Sequence, residues 1–155
     1  LILDHNTTAK VAWNSSGNNS EMKEVARELE NDTKAWKNVA RLITANEVAK
    51  ISGNTNWDSS KKGQPWFYFG SNNQSDTSKR SSYGWLYDRT RSDCTTYGCS
   101  NNADQDTWGY WTSNAKSRSN LAWGVSRDGS LGDNSVSYAS RGVRPVITIS
   151  KSIIK

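Results

Sequence analysis

Cys94 and Cys99 are the two cysteines of this 155-residue chain, and four residues separate them. Cysteines this close in sequence can bridge a short loop, which is typical of proteins in an oxidising compartment. A zinc site would need further ligands, and the single histidine, His5, is far away in sequence. The spacing therefore predicts a Cys94–Cys99 disulfide, with free thiols or redox chemistry as the alternatives.

The other groups with catalytic chemistry lack suitable surroundings. His5 would have to serve any Ser-His-Asp triad, and it lies in a segment that we expect to be strand and turn. Asp104 and Asp106 could do acid–base chemistry only in a pocket that separates their pKa values. Asn102 begins an alternation typical of a calcium loop, but Thr107 replaces the EF-hand glycine and no Glu follows at the twelfth position, so only calcium sites of another kind stay open. We expect no enzymatic activity and no cofactor.

Aromatic and small polar residues point to binding instead. The chain has 8 Trp and 6 Tyr but only 2 Phe, and residues 71–140 are dominated by Ser, Asn, Asp, Gly, Tyr and Trp. Binding surfaces use this mixture, because rigid aromatics supply contact area and small polar side chains supply adaptable hydrogen bonds. The candidate ligand-binding residues are Tyr110, Trp111, Asn114, Lys116, Arg118, Asn120, Trp123, Arg127 and Tyr138.

The aromatic residues must also supply the core of a chain that is only 34% hydrophobic. Trp85, Trp111 and Trp123 lie in segments with apolar neighbours that we expect to be strands, and they are predicted to be buried. Tyr97, Tyr110 and Tyr138 lie among polar residues and are predicted to be exposed.

Charge and hydropathy limit the partners. The net charge is +5 and the sequence pI about 9.3, but the lysines and arginines are scattered rather than clustered, which argues against nucleic acid. No apolar run is long enough to span a membrane, and no signal peptide is present. Because residues 1–3 resemble the interior of a strand, we expect a processed or excised part of a longer precursor.

Helices are predicted in the first third of the chain. Met22, Val25 and Leu29 lie on one apolar stripe with helical spacing. Thr44 and Glu47 form a capping-box pattern, and Gly53 stands where a helix-ending glycine belongs.

Strands are predicted in the remainder. Helical periodicity disappears from residue 54 onward, residues 71–80 are loop-like, and residues 127–129 are typical of a hairpin turn. The last strand is expected over residues 142–150. Early helices and late strands indicate one α+β domain over residues 1–155 with a small, mainly antiparallel sheet.

Two segments resemble the formylglycine-generating branch of the C-type-lectin-like fold. Residues 41–47, RLITANE, resemble the helix-opening R-L-P-T-x-x-E segment, with Ile43 in place of Pro. Residues 142–146, GVRPV, resemble the terminal G-F-R-V strand. Between them, residues 111–113 and 122–125 with Gly129 are similar to the W-T-S, A-W-x-V and G pattern of bacterial surface proteins. The resemblance covers residues 41–149 and implies a C-type-lectin-like fold.

The resemblance implies two uses of that fold. In the enzymes, a copper-binding cysteine pair with spacing similar to Cys94 and Cys99 oxidises a substrate cysteine. That pair lies just before the terminal strand, whereas here residues 111–138 intervene. In the variable proteins of diversity-generating retroelements, the fold displays residues near the C-terminus for ligand binding. We therefore expect a secreted or surface-displayed recognition or adhesion domain with a protein or carbohydrate ligand. The alternatives are a self-assembling filament or pilus subunit and a copper oxidase.

Overall fold

The computed structural model describes residues 1–70, 77–87, 107–117 and 120–154, and the side chains of the segment 77–87 from residue 82 onward. Three α-helices, eight strands and a short 3-10 helix at Lys151–Ile153 occur there. In chain order the α-helices and strands are β1 (Thr8–Val11), α1 (Glu24–Thr33), β2 (Ala40–Arg41), α2 (Ala45–Ile51), β3 (Phe67–Tyr68), α3 (Thr77–Tyr87), β4 (Gly109–Ala115), β5 (Leu121–Ser126), β6 (Ser130–Ser135), β7 (Arg141–Val143) and β8 (Val146–Ile147). None of the described helices is long and apolar enough to cross a membrane.

Six strands form the main sheet, in the order β1-β7-β4-β5-β6-β3. All neighbours in it are antiparallel except β4 and β7, which run parallel. β2 and β8 form a separate antiparallel pair. The prediction of a mixed α+β structure with a mainly antiparallel sheet is confirmed.

Side chains that alternate along the central strands separate two buried clusters. Tyr110, Trp123 and Val125 belong to one cluster, which includes residues of α2, and this side of the sheet is called the first face. Trp111 and Ala122 belong to the other cluster, which includes residues of β1 and α1, and this side is the second face. Because successive residues of a strand point to opposite sides, two central strands supply both cores.

Local sequence signals account for two of the elements. The Thr44 hydroxyl accepts from the amide of Glu47 at 3.0 Å, and the Glu47 carboxylate accepts from the amide of Thr44 at 2.8 Å, so the predicted capping box is confirmed. The predicted hairpin between β5 and β6 is also confirmed, and Gly129 occupies its turn with φ of +80°. A Cβ at Gly129 would lie 2.5 Å from the Cα of Gly70, so the turn also needs glycine for close approach.

Other boundaries were predicted wrongly. Residues 77–87 form helix α3 rather than a loop followed by a strand. The single strand expected over 142–150 is two short strands, β7 and β8, in different sheets. Arg144 and Pro145 separate them, because Pro145 has no amide hydrogen for a ladder and Arg144 turns its guanidinium into the core, where it is 1% exposed.

Candidate functional site

The predicted ligand-binding residues do not share one surface. Tyr110, Trp111 and Trp123 are fully buried at 0% exposure. The prediction that Trp111 and Trp123 lie in the core is confirmed, but the prediction of an exposed Tyr110 is wrong. Its hydroxyl donates to the carbonyl of Leu86 at 2.5 Å, and this bond lets a tyrosine reside in the core. Burial raises the pKa of Tyr110 to about 12. These three residues cannot contact a ligand at the surface.

The prediction for Trp85 was wrong in the opposite direction. It was predicted to be buried in a strand, but it lies in helix α3 and is 49% exposed. In a strand, every second side chain points to the core. In a helix, only the stripe of side chains that faces the core is buried. In α3 that stripe contains Leu86 and Tyr87, which belong to the first-face core.

The remaining predicted residues are divided among several places. Asn114 is half-buried, and its Oδ1 accepts from the amide of Ala45 at 2.7 Å, so it caps the first turn of α2. Arg127 lies beyond the far end of β5, with its guanidinium 4.2 Å from the ring centroid of Trp108. Tyr138 is 62% exposed, as predicted, in the turn after β6. Arg118 lies outside the described residues, as do Tyr97, Cys94, Cys99 and the acidic residues at 104 and 106.

Lys116 and Asn120 lie at the end of the sheet where a cleft of about 370 Å³ opens, between the loop 62–66 and the connection from β4 to β5. Asn120 is exposed beside the cleft and directly precedes Leu121, which lines it. The cleft is called the Trp66 cleft, and its lining is Lys62, Gly63, Gln64, Pro65, Trp66, Lys116, Ser117 and Leu121.

Side chains beneath the Trp66 cleft hold both of its walls by hydrogen bonds to backbone carbonyls. The indole Nε1 of Trp57 donates to the carbonyl of Pro65 at 2.7 Å, and its ring lies edge-on to the buried Trp123 at 4.8 Å. Asn19 donates to the carbonyls of Lys116 and Leu121, both at 2.8 Å. The cleft therefore has a stable frame before any ligand arrives, which lowers the entropic cost of binding.

Trp66 is the largest exposed surface in this frame. It is 53% exposed and meets Tyr68 edge-on at 4.9 Å between ring centroids. Trp66 was not among the predicted site residues, although the signal was in the sequence: the turn-forming segment KKGQP directly precedes an aromatic run. A turn that ends on a tryptophan holds the indole at the edge of the sheet instead of burying it.

The charges of the cleft are largely compensated. The Lys116 ammonium pairs with Asp133 and lies 4.8 Å from the ring centroid of Trp123. Lys116 is thus a wall of the cleft with a neutralised charge. Lys62 has no hydrogen-bond or ion-pair partner among the residues that the structure describes. The cleft therefore offers an indole surface, the amide of Gln64, the hydroxyl of Ser117 and one uncompensated cation.

Metal-ligating groups do not converge in the described part of the chain. Across those segments no three His, Cys, Asp or Glu side chains lie close enough together to hold a metal ion. His5 Nδ1 lies 2.6 Å from Asp4 Oδ1, a contact between neighbouring residues.

Comparison of the chain with models of known families, with curated proteins and with solved structures finds no match.

Proposed function

We propose that this chain is an extracellular recognition or adhesion domain of C-type-lectin-like type, secreted or displayed on a cell surface, that binds a saccharide in the Trp66 cleft. The half-exposed Trp66 at the mouth of a fixed, polar-rimmed cleft carries this proposal. An indole face can cover the apolar face of a sugar ring, and Gln64 and Ser117 can bond hydroxyl groups. Binding needs no chemical step, which agrees with our expectation that the domain is not an enzyme.

A saccharide is favoured over a protein ligand because the cleft is small and concave. A stable protein interface buries about 800 Å² on each partner, usually around a central group of anchors. Here Tyr68 is the half-exposed aromatic neighbour of Trp66, whereas Trp36 and Trp108 belong to other parts of the surface. A cleft of about 370 Å³ lies in the size range of small-ligand sites.

The test is a glycan array followed by calorimetry with Trp66→Ala and Trp36→Ala. Trp36 is a matched control, because it is 37% exposed and lines a different cleft next to α1. We expect Trp66→Ala to weaken saccharide binding by about tenfold or more and Trp36→Ala to leave it unchanged. Equal affinities in all three proteins would refute the assignment of the site. If the domain bound a protein but no saccharide, the assignment of a saccharide as its ligand would be refuted.

A further inference from the structure

A second cleft, of about 480 Å³, lies on the first face of the sheet. It is called the Trp85 cleft. Its apolar lining comes from four separate parts of the chain: Leu1, Ile2, Ile43, Ile51, Trp85 and Val146. Ile43 and Val146 are 4% and 6% exposed and form the floor, whereas Ile51 and Trp85 are 40% and 49% exposed and form the walls. Large apolar side chains that stand open around an apolar floor are typical of a binding site.

One buried side chain, Arg144, holds two walls of this cleft. Its Nη2 donates to the carbonyl of Trp85 at 2.7 Å and its Nη1 to that of Leu86 at 2.9 Å. Its Nε donates to the carbonyl of Leu3 at 2.5 Å, next to Ile2 in the opposite wall. A guanidinium presents these donors in a planar, rigid fork. The end of α3 and the N-terminal segment are therefore fixed relative to each other, and Trp85 is half-exposed at this position.

The charged rim leaves one cation for a ligand. Arg41 and Glu47 form a two-bond pair, at 2.8 and 2.7 Å, so that each neutralises the other. Glu47 also accepts the amide of Thr44. Lys50, one turn further along α2, lines the cleft, and its ammonium has no hydrogen-bond or ion-pair partner among the described residues. Its ammonium is the natural partner for one anionic group at the mouth of an apolar cleft.

We propose that the Trp85 cleft binds a molecule with an apolar body and a single carboxylate, such as an aliphatic acid. The apolar body lies over Ile43 and Val146 between Trp85 and Ile51, and the carboxylate pairs with Lys50. This site is separate from the Trp66 cleft, and neither proposal depends on the other.

Calorimetric titration of the whole chain with straight-chain carboxylic acids of increasing length, each below its micelle concentration, tests the proposal. Each further buried methylene raises the affinity by up to about fourfold until the cleft is filled. Alcohols and alkylammonium ions of the same lengths bind at least about tenfold more weakly, because they lack the charge that Lys50 recognises.

Three variants locate the site. Trp85→Ala lowers the affinity for the acid by about tenfold or more, and Lys50→Gln reduces it to that of the matching alcohol. Trp66→Ala, which removes an equally exposed indole from the other cleft, leaves it unchanged. Circular dichroism checks that each variant is folded.

Several outcomes would overturn the proposal. Equal affinities for acid, alcohol and ammonium ion would exclude recognition of the carboxylate. Equal effects of Trp85→Ala and Trp66→Ala would indicate non-specific adsorption. Concentration-dependent dimers that Trp85→Ala abolishes would show that the cleft is covered by a second copy of the chain instead of a small ligand.

Discussion

Arg141 and Arg144 lie three residues apart and are both buried, at 5% and 1% exposure, but they are held in different ways. Arg144 reaches into the first face, where three backbone carbonyls accept its hydrogen bonds. Arg141 reaches over the second face, where its Nη2 donates to the Ser126 hydroxyl at 2.9 Å and its Nε and Nη1 have no partner among the described residues. One arginine connects separate parts of the chain, and the other is a poorly compensated buried charge.

The surroundings of Arg141 show how the sheet accommodates it. Its side chain crosses Gly124, where a Cβ would lie 2.5 Å from the arginine Cδ, and its guanidinium lies 5.3 Å from the ring centroid of Trp111. Burial lowers the pKa of Arg141 to about 10, although Asp133 and Asp128 act in the opposite direction. A buried charge stabilises a fold only when its hydrogen bonds compensate for lost hydration. Removal of Arg144 should therefore cost much more stability than removal of Arg141.

Arg144→Met should give the largest loss of stability. The substitution removes three charge-assisted hydrogen bonds and deprives the partly buried carbonyls of Trp85 and Leu3 of this donor, which should cost about 3 kcal/mol or more. Urea denaturation measures the loss. Arg144→Lys keeps the charge but not the fork, and its stability should lie between those of the wild type and Arg144→Met. A loss below about 1 kcal/mol would show that Arg144 does not hold these segments together.

The same arginine explains part of what the sequence could and could not predict. The capping box at Thr44 and the hairpin at Gly129 were predictable, because each depends on side chains a few residues apart. The division of residues 141–147 into two strands was not, since it depends on Arg144 finding carbonyls at residues 3, 85 and 86. Tyr110 was predicted to be exposed and Trp85 to be buried, and the structure has the reverse. Local polarity suggested an exposed Tyr110, but a carbonyl distant in sequence allows its burial.

The site was predictable only in part. Composition correctly favoured an exposed Tyr138, but it could not distinguish tryptophans that fill the core from those at the surface. Trp66 and Trp123 each stand in a short run of apolar or aromatic residues, PWFYF and LAWGV. Trp123 is buried because it lies in a central strand, and Trp66 is exposed because it directly precedes a two-residue edge strand.

Tyr110→Phe should lower the stability less than Arg144→Met does. This variant tests whether Tyr110 and Arg144 share an acceptor on the first face. The hydroxyl donates to the carbonyl of Leu86, which also accepts from Arg144, so that carbonyl keeps one donor and the loss should be about 1 kcal/mol. Denaturation of the double variant with Arg144→Met tests the sharing. The combined loss should exceed the sum of the single losses, because only then does Leu86 lose both donors. Simple additivity would contradict the shared acceptor.

Arg141→Met should have the smallest effect, with a stability within about 1 kcal/mol of the wild type at neutral pH, because the lost hydrogen bond and ring contact are offset by removal of a poorly compensated charge.

The pH dependence of this difference in stability is more informative than its value at neutral pH. A folded-state pKa below that of the unfolded chain means that, above about pH 10, the unfolded state binds more protons at Arg141 than the folded state. The stability of the wild type relative to Arg141→Met should therefore rise as the pH increases through this range. Tyr110 titrates with the opposite sign, since its folded-state pKa is raised, and its effect is common to both proteins and cancels in the difference. Denaturation at several pH values from neutral to alkaline measures this difference, and a constant value would mean that Arg141 is as well compensated as Arg144.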